Sequence, residues 1–134
     1  MNKFGEKSMQ ALETAEPVLL EIAFKVLLIK DHSILKGHRT ESEQNAAWHA
    51  GRSQLLWPNG KHNALPSQAI DVQTYPRPAL DSDLREEQYY LLGLYVGVAH
   101  AMRIELRTGA DWDTDGEVSD NGWDDLFHVE LVGD

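Results

Sequence analysis

The sequence predicts an α+β fold: a single domain over residues 1–134, in which a small antiparallel sheet packs against helices and keeps one face open. Three observations lead there. The segments Ala69-Ile70-Asp71-Val72 and Phe127-His128-Val129-Glu130-Leu131 alternate apolar and polar residues with a period of two, as half-buried strands do. Longer stretches around Leu20 and Leu91 carry apolar residues at helical spacing. No repeat, low-complexity tract or interdomain linker divides the 134 residues, a length suited to one core.

Taken in chain order, Pro17 suits a helix start, because the N–H it lacks has no helical partner there. Leu20, Ala23, Phe24, Leu27 and Leu28 then form one stripe, with Glu21 and Lys25 paired outside. Residues 33–37 read as a short strand. Thr40 starts the next helix with Glu43 three positions on, a capping box that fixes Arg39 at the helix entrance. A loop rich in Gly, Pro and Asn, residues 51–61, leads into His62. After the Asp71 strand, Pro76 and Pro78 close a turn, and a helix is expected from about residue 83 to 102. Its part from Tyr89 to Met102 is apolar nearly all round, as for a buried central helix, and is too short for a membrane span of about 20 residues. Gly93 and Gly97 are expected to let that helix approach the sheet closely. Residues 104–108 form another strand before an acidic loop, and the His128 segment is the last strand.

The alternation places chemistry on one side of the sheet. Ile70 and Val72 take one face and Asp71 the other; Phe127, Val129 and Leu131 oppose His128 and Glu130. If the two strands are neighbours, Asp71 and His128 emerge together on the open side, and His62 lies upstream to join them. Two imidazoles and a carboxylate suit a zinc ion with a fourth position left for water, whose pKa falls to about 7 in such sites. A further carboxylate, Asp125, is placed to move the proton, with Asp124 as its competitor. Glu130 reads either as a carboxylate supporting His128 or as an edge-strand residue. His32, His38, His49 and His100 lack such company and read as structural or exposed, with His100 a hydrogen-bonded core histidine.

These segments resemble a family, the zinc D-alanyl-D-alanine carboxypeptidases and L-alanyl-D-glutamate endopeptidases that cut peptidoglycan peptides, to which many small phage endolysins belong. Its pattern is Ser-x-His, a spacer and Asp, then Glu or Asp-x-x-His, with Gly-x-Arg-(Ser/Thr)-x-x-x-Gln upstream. Here the upstream run is Gly37-His38-Arg39-Thr40-Glu41-Ser42-Glu43-Gln44, and Gly109-Ala110-Asp111-Trp112 also resembles the phage members. The resemblance implies that His62, Asp71 and His128 are zinc ligands and that Asp125, at the matching offset, is the general base. It implies that Arg39 holds a substrate carboxylate or the developing oxyanion. Gln44 is read as substrate-binding or as a structural residue. Two departures stand out: Gly60 replaces the family Ser, and the spacer is longer, with Leu65-Pro66 where a glycine usually sits. The longer spacer is expected to alter a loop and not the ligand set.

Asp111, Asp113 and Asp115, followed by Gly116, match the opening of a calcium-binding EF-hand loop. The twelfth position is Gly122 and not a bidentate Glu, so Asp120 would have to close the site; a solvated acidic turn is the other reading.

Twelve Lys and Arg against 22 Asp and Glu give a formal charge of −10, which argues against nucleic acid or anionic membrane as a partner. The absence of cysteine removes thiolate and disulfide chemistry. Glu6, Glu13 and Glu16 interrupt the apolar core that a signal peptide needs. With the resemblance, this gives the expectation of a monomer acting on peptidoglycan stem peptides, made in the host cytoplasm and released to the wall. Two functional classes stand: a zinc peptidase cutting at L-alanyl-D-glutamate or at D-alanyl-D-alanine, and a noncatalytic, metal-stabilised wall-binding module. Asp125 and Arg39 favour the enzyme, since a structural metal site needs neither.

Overall fold

The computed structural model describes residues 1–119 and 124–133. Within them the strands β1 (His32–Lys36), β2 (Ala69–Thr74), β3 (Leu106–Gly109) and β4 (Asp125–Leu131) pair antiparallel in the order β1-β2-β4-β3. Helices α1 (Glu6–Leu12), α2 (Pro17–Leu27) and α4 (Asp81–Ala101) form the layer beneath, α1 against β1, α4 under β2, β3 and β4, and α2 against α4. Helix α3 (Glu41–His49) and a single 3-10 turn, Lys61–Asn63, lie between β1 and β2 in sequence. The α+β fold with a small antiparallel sheet is thus the one expected.

The core sits between sheet and helices. Ile70 and Val72 of β2 and Val129 of β4 are fully buried there with Leu19, Ile22, Leu91 and Tyr95; each large apolar side chain so buried contributes roughly 1.5–3 kcal/mol. Gln88 of α4 is also buried, and the backbone explains it. Its amide donates to the carbonyls of Val72 (3.0 Å) and Leu126 (2.8 Å) and accepts from the Thr74 N–H (2.7 Å), tying helix to two strands.

Several expectations are corrected. The α2 stripe is turned by about one residue: Leu19, Ile22, Ala23, Val26 and Leu27 are buried, whereas Phe24 and Leu28 are 43% and 72% exposed. Helix α4 begins at Asp81 and buries one face only; Tyr90, Val96, Gly93, Gly97 and His100 are exposed, so the glycines approach nothing and His100 is no core residue. Strand β3 starts at Leu106, later than expected. In β4 the core residue before Val129 is Leu126, not Phe127. Its pairing with β3 slips between Thr108 and Gly109, so that Leu126, Phe127 and His128 have no β3 partner, and this bulge breaks the strict alternation. Helix α1 is an element the periodicity did not announce. Its Ser8 hydroxyl accepts from the Ile34 N–H at 3.0 Å, satisfying an edge-strand donor.

His32 carries a prediction for the fold. It is 2% exposed, with Nδ1 2.9 Å from the Lys30 carbonyl and Nε2 2.6 Å from the Tyr95 hydroxyl. Burial lowers its pKa from 6.5 to about 4. The unfolded chain therefore takes up a proton there at a pH where the folded one does not. This stability contribution is present above pH 6.5 and is lost as pH falls toward 4, amounting to about 3 kcal/mol. Denaturant unfolding at pH 7 and pH 4.5 should show a drop in the native protein that is clearly smaller in His32→Gln; equal drops would remove His32 as the cause.

Candidate active site

Gly37 opens the site. The bulge of β1 at Leu35 and the turn after it bring Gly37 so close to α1 that a Cβ would stand 2.3 Å from the Ala11 carbonyl oxygen. This approach aims the Gly37 carbonyl at His62, whose Nδ1–H donates to it at 2.7 Å. His62 is 3% exposed, on the 3-10 turn, and its Nε2 faces Asp71 Oδ1 at 3.1 Å. From β4, directly across from Asp71 in register, His128 brings Nδ1 to 3.6 Å of the same oxygen, while its Nε2–H donates to Glu130 Oε1 at 2.8 Å. His62, Asp71 and His128 thus converge, with one ligand atom from each lying within 4.8 Å of the others.

The donor arithmetic of this cluster is informative. Each ring spends one N–H on an oxygen acceptor outside the cluster, so in its neutral form each turns a lone pair toward the Asp71 carboxylate. An arrangement of this kind is stabilised either by a proton held between ring and carboxylate or by a bound cation. Burial alone would raise the carboxyl pKa of Asp71, but the two rings hold it well below the usual carboxylate range. Burial likewise disfavours charge on His128, yet hydrogen bonds with Asp71 and Glu130 push its pKa up to about 9. Two nitrogens and one oxygen, each ring oriented by its other nitrogen, fit zinc with a position left open.

Asp125 begins β4 on the rim of the cleft. Gly109 permits this, since a Cβ there would lie 1.8 Å from the Asp125 carbonyl oxygen. Its carboxylate accepts from the Phe127 N–H at 3.1 Å, and burial, with the charge of Asp71, raises its pKa. Asp124 is held on the α4 side, where Tyr89 donates to it at 3.4 Å and Arg85 lies 3.8 Å away, and it lines only the larger of the site's two cavities.

Arg39 stands at the entrance of α3, whose capping box is formed as the sequence indicates: Glu43 N–H to Thr40 Oγ1 at 3.2 Å, and Thr40 N–H to Glu43 Oε1 at 3.0 Å. The guanidinium donates to Asp71 Oδ2 (3.3 Å) and to Gln44 Oε1 (3.1 Å). Gln44 is buried, and its amide donates to Ser53 Oγ and the Leu55 carbonyl, so it braces Arg39 and the following loop while lining the cleft. At Gly60 the space of a Cβ is filled by Asn63, whose Oδ1 would be 2.9 Å away and accepts the Gly60 N–H at 2.8 Å.

Above the cluster lies a cavity of about 580 Å³, walled by Arg39, Arg52, Leu55, Lys61, Arg107, Trp112, Asp125 and Glu130. A second, of about 750 Å³, shares Arg39, Arg52 and Asp125 and extends past Asp71, Gln73 and Phe127. Four cations in the first wall contrast with the chain's charge of −10. Arg52, Lys61, Arg107 and Trp112 were not singled out as site residues; Lys61 had a signal in the Lys-His-Asn run that it opens, and Trp112 in the Gly-Ala-Asp-Trp run, its ring lying 5.3 Å from that of His128. Glu130 is 4% exposed on a central strand, which excludes the edge-strand reading.

Asp111, Asp113 and Asp115 also gather, with ligand atoms within 4.8 Å of one another. Their carboxylates accept from the loop's own amides, among them Gly116 N–H to Asp111 at 2.9 Å and Glu117 N–H to Asp115 at 2.8 Å. Asp120 and Gly122 lie outside the described residues.

An α+β sheet that gathers two imidazoles and a carboxylate under an open cleft, with an unligated carboxylate at its rim, is the build of a hydrolase. Residues 1–132 match the family model of the phage L-alanyl-D-glutamate peptidases, and the chain belongs to that family. It is 34% identical to the L-alanyl-D-glutamate peptidase of Escherichia phage T5 over 137 residues, covering 97% of this chain and 98% of that one. The fold is similar to that in the crystal structure of the Serratia marcescens L-Ala D-Glu endopeptidase ChiX, with a TM-score of 0.73 and 21% identity over 97% of this chain and 90% of that one. Among the described residues no helix is long and apolar enough to cross a membrane.

Proposed function

We propose that this peptidase is zinc-dependent and hydrolyses the L-alanyl-D-glutamate bond of peptidoglycan stem peptides. The observation that carries the metal is the convergence of His62 Nε2, Asp71 and His128 Nδ1, with the other nitrogen of each ring engaged by an oxygen outside the cluster. Family membership supports the bond. Zinc bound there would supply a Lewis acid that activates water and polarises the scissile carbonyl. Asp125 takes the proton from the attacking water and passes it to the leaving amine, a task for which a raised carboxyl pKa is suited. Arg39 orients Asp71 and offers its planar fork to substrate oxygen. A peptide laid across both cavities would pass Asp125 with a chain on either side, and the cationic wall suits the carboxylates of a stem peptide.

Purified cell walls incubated with the zinc-loaded protein should release peptides with a new D-glutamate amino terminus, read by mass analysis. Release of free D-alanine instead would move the activity to the carboxypeptidase reading. No release at full zinc occupancy would leave the noncatalytic wall-binding reading.

The finer reading of the acidic loop is calcium held by Asp111, Asp113 and Asp115. Its support is their convergence and the raised pKa of Asp113, which partial desolvation and its carboxylate neighbours cause. Calorimetric titration of the zinc-loaded protein should show one calcium event that Asp113→Ala abolishes; none at millimolar calcium would leave a solvated acidic turn.

A further inference from the structure

The two rings of the cluster present different nitrogens, Nε2 from His62 and Nδ1 from His128. For His62 the choice is made by a backbone carbonyl, which no side-chain substitution removes. For His128 it is made by Glu130, two residues on along β4 and so on the same face of the strand. A carboxylate can only accept, so Nε2 of His128 keeps its proton toward Glu130, and Nδ1 is the nitrogen left to give up a proton and offer its lone pair to a metal. Glu130 is itself buried, and a buried carboxylate stays ionised only with a partner. That partner is Arg107, its cross-strand neighbour in the β3–β4 register, whose Nη2 donates to Glu130 Oε2 at 2.7 Å. The chain Arg107, Glu130, His128 thus runs from the cleft wall to the metal cluster.

Resting on the zinc reading above, we propose that Glu130, held by Arg107, is a positioning residue that fixes the His128 ring with Nδ1 toward the metal. Glu130 touches neither metal nor substrate in this role. It keeps the ring from flipping and from adopting the other tautomer, either of which would withdraw Nδ1 from the point where His62 Nε2 and Asp71 converge. Partners of this kind typically alter metal affinity about 10–100-fold when removed. Glu130→Gln retains an oxygen acceptor for Nε2–H at nearly the same shape, whereas Glu130→Ala retains none.

The test is zinc affinity of the full chain, measured by chelator competition, together with nitrogen NMR of the His128 ring in the zinc-loaded protein. Glu130→Ala should weaken zinc about 10–100-fold, and Glu130→Gln should recover most of that loss, a rescue that a general packing defect would not show. The native spectrum should report ligation at Nδ1 with the proton on Nε2. Native zinc affinity in Glu130→Ala, or ligation through Nε2 in the native protein, would overturn the assignment. Should Glu130→Ala fail to fold, the native spectrum and Glu130→Gln still decide it. A native chain that binds no zinc would overturn the metal reading and this assignment with it; a zinc-binding native chain with an unaffected Glu130→Ala overturns this assignment alone.

Discussion

His128→Ala is expected to lose stoichiometric zinc and, with it, measurable hydrolysis. The native chain should carry about one zinc, and His62→Ala and Asp71→Ala should behave alike, because each leaves two protein donors where a catalytic site uses three. Metal activation of the reacting oxygens is worth several kcal/mol, about a thousandfold or more in rate. Chelation followed by added zinc should abolish and then restore activity in the native protein and leave His128→Ala inactive throughout. Zinc should also raise the thermal midpoint of the native protein, since it binds the folded state in preference to the unfolded chain, and should do so far less in the variant. A full zinc complement in His128→Ala, found by elemental analysis, would sink the ligand assignment.

The face of the sheet that carries Asp71 and His128 was legible in the sequence because alternation is local. Ile70 and Val72 are fully buried, and Asp71 and His128 share the open face as the alternation indicates, while their direct pairing across β2 and β4 comes from the structure. The capping box at Thr40 was legible for the same reason, all its atoms lying within four residues. Where two patterns compete locally, only tertiary contacts choose between them. Helix α2 offers two apolar stripes a residue apart, and packing selects the one with Leu19, Ile22 and Val26, leaving Phe24 and Leu28 outside. Helix α4 looks buried all round, yet one face meets the sheet, and polar Gln88 is inside because strand backbone needs it. The cleft wall was the least legible part. Lys61 adjoins His62, but Arg52 and Arg107 come from separate segments, and nothing in their own neighbourhoods announces that the fold gathers them around the same cavity. Glu130 was visible as a neighbour of His128, but its tie to Arg107 depends on a strand register that residue pattern alone did not settle.

Asp125→Ala is expected to keep about one zinc per chain while losing roughly 10²–10⁴ in turnover, about 3–5 kcal/mol of transition-state stabilisation. The separation of the two readouts follows from position. Asp125 is outside the convergent set of His62, Asp71 and His128, so its removal subtracts no donor, yet it lines both cavities at the point where they share walls. Its environment favours proton transfer over permanent charge: burial and the neighbouring Asp71 carboxylate raise its pKa, with only the Phe127 N–H and the nearby rings opposing them. Asp124 serves as the control. Its carboxylate is engaged by Tyr89 and Arg85 of α4, so Asp124→Ala should lose a surface contact and retain near-native turnover. The reverse pattern, an active Asp125→Ala beside an inactive Asp124→Ala, would transfer the base to Asp124 and require the start of β4 to rearrange when substrate binds.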